Sequence, residues 1–210
     1  AGITYNEHCL AMAGMSGGGK STLMLNLLEL SNTQFLTNDR LFIRQADGEV
    51  AAAGIPKLPR INPGTIVHNQ RLHALIAPEE RARLLALSRD ELWHLEEKYD
   101  VDIEQLYGNK HIRHNATLSA FLIINWQHDA AVDTAINAVQ LTQRLELLQA
   151  IMKSPGPFYQ RLDGSFLQDD EALVEQPYID ALRSIPIYEL TGRIDFDRAT
   201  RLLGQMITAL

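Results

Sequence analysis

The run Gly14-Met15-Ser16-Gly17-Gly18-Gly19-Lys20-Ser21 constrains this chain more than any other stretch. Its residues stand at the G-x-x-x-x-G-K-[ST] spacing, which is informative when a buried strand precedes it and an amphipathic helix follows. Both neighbours are readable. His8-Cys9-Leu10-Ala11-Met12-Ala13 is a short, mostly apolar run of the kind that forms a parallel strand covered on both faces. From Lys20 to Leu30, Leu23, Leu27 and Leu30 recur at helical spacing, and Met24 and Leu28 widen the apolar stripe.

The four glycines of the run permit dihedrals closed to other residues, so successive N–H groups can turn inward around phosphate oxygens. The following helix aims the positive end of its dipole at the same anion. Gly14, Ser16, Gly17, Gly18, Gly19 and Thr22 are expected to line a phosphate site, with Lys20 reaching the β- and γ-phosphates. The Ser21 hydroxyl is expected to bind a magnesium ion bridging them.

With 210 residues, 46% apolar and 21% charged, the chain can bury one sizeable core. No apolar run approaches a membrane span and no export signal is visible, so a cytoplasmic location and no membrane partner are expected. The single cysteine, Cys9, excludes an internal disulfide framework and reads as a small buried residue. A net charge of −7 argues against a general nucleic-acid surface while leaving room for a local basic pocket. Only thirteen residues precede the loop, too few for the usual neighbouring strands, which predicts a piece of a longer protein.

Thr33-Gln34-Phe35-Leu36-Thr37-Asn38 reads as a second strand ending at Asp39. A carboxylate there lies at the edge of the sheet where ligands bind in open α/β folds, and it can hold magnesium, accept a proton, or do both. A turn-forming aspartate is the plain alternative. Arg40 to Arg44, the turn Ala46-Asp47-Gly48-Glu49 and Val50 to Gly54 form a hairpin signal around Asp-Gly.

Gly14, Ser16, Gly17, Gly19, Lys20, Ser21 and Asp39, followed by this hairpin, resemble the catalytic domain of HPr kinase and the HPr kinase-related proteins, over roughly the first sixty residues. The resemblance implies an ATP- and magnesium-dependent kinase in which Lys20 binds phosphate and is catalytic and Ser21 is a metal ligand. Asp39 falls on the second aspartate of the family's Asp-Asp pair, which takes the proton from the acceptor hydroxyl, and Asn38 replaces the first. Where the family has an acidic metal ligand before Arg-Gly, this chain reads Lys57-Leu58-Pro59-Arg60-Ile61-Asn62-Pro63-Gly64. Arg60 persists there as a phosphate contact and the second metal carboxylate is missing. The family's upstream histidine would lie before residue 1.

Residues 54 to 73 are rich in proline and glycine, carry Lys57, Arg60, His68, Arg71 and His73, and lack acidic residues. They read as a loop covering the triphosphate or meeting an acidic substrate. Helical patterning resumes over 69–76, again at Pro78, and through a capping box at Ser88-Arg89-Asp90-Glu91 toward Tyr99. This helical insertion, about 69–107, offers a lid, a partner surface or a homo-oligomer contact. His111 and His114 have a metal-like spacing without the companions a zinc site needs. Leu118 to Trp126 reads as a central strand ending near Asn125, with Asp129 a weaker candidate ligand beyond it. A long helix is expected from about Asp133 to Lys153, a strand at 185–190, and a closing helix capped by Asp195 or Asp197.

Together these features predict a single α/β domain over 1–210, a phosphate-loop fold with a mixed or mainly parallel sheet flanked by helices and a helical insertion. The expected activity is transfer of the γ-phosphoryl group of ATP to a hydroxyl of a protein or small molecule. A nucleotide-dependent switch with little transfer is the alternative, supported by Asn38 and the missing carboxylate.

Overall fold

The chain enters a sheet at Gly2–Tyr5 (β1), turns, and returns antiparallel as His8–Gly14 (β2), so that Gly2 faces Ala11 and Tyr5 faces His8. The structure is a computed structural model describing residues 1–209 except Ser16, Asp47, Pro56, Pro155, Asp169 and Asp170; for Ala46 and Gly156 it describes the backbone alone. After the glycine-rich loop come Lys20–Leu27 (α1), Thr33–Thr37 (β3) and the hairpin Leu41–Ala46 (β4) with Glu49–Gly54 (β5). Arg60–Ile61 (β6), Pro63–Val67 (α2), Pro78–Leu85 (α3), Arg89–His94 (α4), Tyr99–Asp100 (β7) and Ile103–Tyr107 (α5) follow, with a 3-10 turn at Gln70–Leu75. The remainder is Asn115–Ile124 (β8), Ala135–Val139 (β9), Leu148–Ile151 (α6), Glu175–Ala181 (α7), Ile187–Thr191 (β10) and Phe196–Ile207 (α8).

Among the described residues the sheet runs β3-β1-β2-β8-β10-β9. It is mixed: β2–β8 and β8–β10 are parallel, and every other ladder is antiparallel. β5 pairs with the start of β8 at Ala51↔Thr117, and β10 takes over the same edge from Phe121 to Ile124. The parallel centre is also the part whose sequence is apolar on both faces. Leu10 and Met12 of β2 and Leu122 and Ile124 of β8 join one core, while Cys9, Ala11, Leu118 and Ile123 join the other.

The first core lies under α1 and α8, where Leu23, Met24, Leu25 and Leu27 pack with Leu203 and Ile207. Leu25 is as buried as Leu23, so α1 is enclosed beyond the stripe its spacing predicts. Each such leucine contributes roughly 1.5–3 kcal/mol by leaving water. The second core packs Leu147, Leu148 and Leu182 and the hairpin residues Val50 and Ala52 onto the opposite face. The hairpin is in the expected register, Ala46↔Glu49, with Gly48 at φ 86°; Asp47 lies outside the described residues.

Three sequence expectations are corrected. The long helix over 133–153 is replaced by β9, two 3-10 turns and the single turn α6. The open outer edge of β10 offers a row of unpaired backbone groups, and Ala135–Val139 pairs with it antiparallel, which outweighs an apolar spacing that also fits a helix. The helix opened by Ser88 has its full capping box but stops at His94, because the chain turns extended at Leu95 and Tyr99–Asp100 pairs with Arg60–Ile61. Residues 54–73 are less loop-like than their composition suggests: Pro63 starts α2, and Ile61, Ile66, Val67 and Leu72 are buried.

Candidate functional site

β2 ends at Gly14, in register with Ile124 at the end of β8, so the glycine-rich loop rises from the parallel centre of the sheet. Gly17 and Gly19 have φ of 77° and 80°, and Gly18 N–H donates to the Met15 carbonyl at 3.1 Å. Gly19 is the N-cap of α1, which has no side-chain cap and no acidic residue in its first turn. The starts of α4, α5 and α8 are instead capped by Ser88, Asp102 and Asp195. Among the described residues no side chain caps the first N–H groups of α1, which carry the positive end of the helix dipole.

An aromatic pair holds this loop in place. Trp126 Nε1 donates to the Gly18 carbonyl at 2.9 Å, and its ring meets Phe196 edge-on at 4.9 Å. A Cβ on Gly19 would lie 2.7 Å from Phe196 Cζ, so glycine is required there by space as well as by φ. Sequence reasoning places Trp126 in a strand and Phe196 in a helix and misses their joint task. The available signal is that a buried indole N–H must find an acceptor.

The Lys20 ammonium is folded back on the loop, donating to the carbonyls of Gly14 at 2.7 Å and Met15 at 3.0 Å. Burial lowers its pKa, the ammonium of Lys153 lowers it further, and Asp39 opposes them. Ser21 Oγ donates to Asn38 Oδ1 at 2.8 Å, which brings the serine of the loop to the end of β3. Thr22, expected among the phosphate-lining residues, shares a 2.6 Å hydroxyl contact with Thr65 of α2.

Asp39 receives a 2.5 Å hydrogen bond from Lys153 Nζ. That bond holds its carboxyl below the usual aspartate range against the opposing effect of burial, with further help from the charges of Lys153, Arg40 and Lys57. Lys153 comes from a distant segment, just past α6, and the sequence does not announce it. Arg40 anchors the same segment: its guanidinium donates to the Ser154 carbonyl and stacks over the Phe158 ring at 4.9 Å.

A cleft of about 1050 Å³ is lined by Gly17 to Thr22 together with Asn38, Asp39, Lys57 and Arg60; Lys153 and Arg40 adjoin it through Asp39 and are not part of the lining. Arg60 is at its rim in a 3.5 Å ion pair with Asp100, both more than half exposed. The structure thus gathers Lys20, Ser21, Asn38, Asp39 and Arg60 around one space. Ser16 lies outside the described residues. Asp129 is not part of the cleft lining; it is 96% exposed and paired with His128.

The cleft lining carries Lys20, Lys57, Arg60, Arg89, Lys98 and Arg193 against Asp39, Glu96, Asp195 and Asp197, in a chain whose net charge is −7. Positive charge is locally in excess, as a site for an anion requires. Among the described residues no three His, Cys, Asp or Glu side chains cluster as a metal cage, and no helix is long and apolar enough to cross a membrane.

No protein-family model matches the chain, and no curated protein matches it. Among solved structures it is similar to the Hpr(Ser) kinase/phosphatase from Coxiella burnetii, with 11% identity, a TM-score of 0.45, and 99% of this chain and 85% of that chain covered.

Proposed function

We propose that this chain binds ATP with magnesium on the Gly14–Ser21 loop and transfers the γ-phosphoryl group to a hydroxyl acceptor. The observation that carries the reading is one convergence. Gly19 at the start of α1, Lys20, Ser21 and Asp39 all line a single cleft. A nucleotide's phosphates would accept from the N–H groups at the start of α1 and would draw Lys20 from the loop carbonyls it now contacts.

The residues present suit magnesium. Ser21 Oγ and Asn38 Oδ1 are hard oxygen donors 2.8 Å apart, with the Asp39 carboxylate on the same cleft. Magnesium is usually held by one or two carboxylates together with substrate phosphates, not by an all-protein cage. When bound, it would supply charge neutralisation at the phosphate oxygens. Asp39 takes the proton of the acceptor hydroxyl as the new O–P bond forms and the bond to the departing ADP oxygen breaks. Arg60, which lines the same cleft, would add positive charge to it on leaving its ion pair with Asp100. We extend the reading to a single domain that works in the cytoplasm on a protein or small-molecule acceptor.

Asn38 favours a second reading. The side chain facing Ser21 is a neutral amide, so the metal site has one negative charge fewer, and a nucleotide-dependent switch with little transfer would have the same loop. Incubation with γ-labelled ATP and a cell-extract fraction separates the two. The kinase reading expects a discrete labelled acceptor with the parent and none with Asp39→Asn, while magnesium-ATP affinity stays within a small factor. Nucleotide binding without transfer by the parent would leave the switch, and transfer by Asp39→Asn at the parental rate would remove Asp39 from both roles.

A further inference from the structure

The structure assigns Lys153 as a second phosphate-clamping residue, one that contacts the terminal phosphoryl group opposite Lys20. This rests on the proposed nucleotide site and specifies a residue of it. Three observations carry the assignment. First, the segment bearing Lys153 is fastened to the end of β3. Lys153 bonds Asp39, and the neighbouring Arg40 bonds the Ser154 carbonyl and stacks on Phe158. The Tyr178 hydroxyl also reaches the Lys153 carbonyl at 3.4 Å. The ammonium is therefore held beside the residue proposed to serve the acceptor.

Second, its hydrogen-bonding capacity is mostly unspent. An ammonium has three N–H donors, and among the described contacts Lys153 uses one, on Asp39. Its side chain is 55% exposed, so the others can reach an incoming oxygen without rearrangement of the core.

Third, the charges do not balance without an anion. Lys20 spends its described bonds on the neutral carbonyls of Gly14 and Met15, and Lys153 spends its own on the Asp39 carboxylate. The Asn38–Asp39 dipeptide supplies a single negative charge, so two ammonium groups and one carboxylate leave a positive excess. A γ-phosphoryl group, present in ATP and missing from ADP, would fill it. In transfer, Lys153 would neutralise the equatorial oxygens while Asp39, still ionised, accepts the hydroxyl proton.

The test is calorimetric and needs no acceptor. ATP and ADP, each with magnesium, are titrated into the parent, Lys153→Met and Lys153→Arg. If Lys153 meets the terminal phosphoryl group, Lys153→Met weakens ATP binding by about tenfold, the value of one charge-assisted hydrogen bond, and leaves ADP binding unchanged. Lys153→Arg, which keeps the charge, then recovers most of the difference. Equal ATP and ADP affinities to the parent's in a folded Lys153→Met protein would overturn the assignment, as would an equal loss for both nucleotides, which marks a merely structural tether. If the parent binds neither nucleotide, the phosphate-loop reading itself fails and takes the assignment with it.

Discussion

The indole of Trp126 and the carbonyl of Gly18 are joined by a 2.9 Å hydrogen bond between residues more than a hundred positions apart. One carbonyl of the loop is thus turned toward the interior. The Gly14 and Met15 carbonyls are occupied by Lys20, and Met15 also accepts from Gly18 N–H. With the carbonyls of Gly14, Met15 and Gly18 engaged, the N–H groups that the loop does not spend on itself, as Gly18 does, are those left to meet an anion.

The two left-handed glycines of this loop should differ in their tolerance of a methyl group. At Gly17 a Cβ meets nothing within 4 Å, so Gly17→Ala costs only the positive φ, about 1 kcal/mol. At Gly19 the same φ cost is joined by a 2.7 Å approach to Phe196 Cζ, adding about 1–3 kcal/mol of overpacking. Denaturant unfolding should rank Gly19→Ala well below Gly17→Ala, and Phe196→Leu in the Gly19→Ala background should restore part of the loss. Equal stability of the two alanine variants would contradict the packing described.

On the other side of β8, Glu189 is 5% exposed and accepts from Arg144 at 2.9 and 3.0 Å and from Asn125 at 2.7 Å. Removing the guanidinium would leave the buried Glu189 carboxylate with Asn125 as its remaining partner, so Arg144→Met should destabilise the protein. Arg144→Lys should recover only part of it, because an ammonium cannot reproduce the two-pronged contact. Chemical denaturation checks both, and an Arg144→Met protein as stable as the parent would contradict a role for this pairing in holding Glu189.

Asp39 should leave a signature in acid. Its folded pKa lies below the ordinary 3.8, chiefly through the Lys153 hydrogen bond. A carboxyl depressed on folding stabilises above its unfolded pKa, and that contribution is lost as the pH falls through the lower folded value. The stability difference between the parent and Asp39→Asn should be level from neutral pH to near 4 and shrink below it. With side chains 55% and 44% exposed, solvent screening keeps the total to about 1 kcal/mol or less. An NMR titration of the Asp39 carboxyl should show its midpoint rising in Lys153→Met. A midpoint that does not move would mean that Lys153 is not the cause.

What the sequence made legible was what neighbouring residues decide together. Gly14 to Ser21, the flanking strand and helix, the hairpin around Gly48 and the caps at Ser88 and Asp195 each depend on a few consecutive positions. What it hid depends on distant partners. Ala135 to Val139 became a strand because β10 had a free edge, which no local spacing records. Lys153 reached Asp39, and Trp126 reached Gly18, across more than a hundred positions. The side chains that set the charge and rigidity of the cleft were therefore the least readable, while the loop they serve was the most readable.

The central claim is that the Gly14–Ser21 loop holds the phosphates of a nucleotide, and the direct measurement is calorimetric titration of magnesium-ATP into the parent and Lys20→Ala. Among the described residues Lys20 Nζ bonds the loop carbonyls of Gly14 and Met15, so its removal should leave the unliganded thermal transition nearly unchanged. Loss of a charge-assisted contact to the phosphates should weaken ATP binding by at least about tenfold. A Lys20→Ala protein that binds ATP as tightly as the parent, or a parent that does not bind ATP, would contradict the claim.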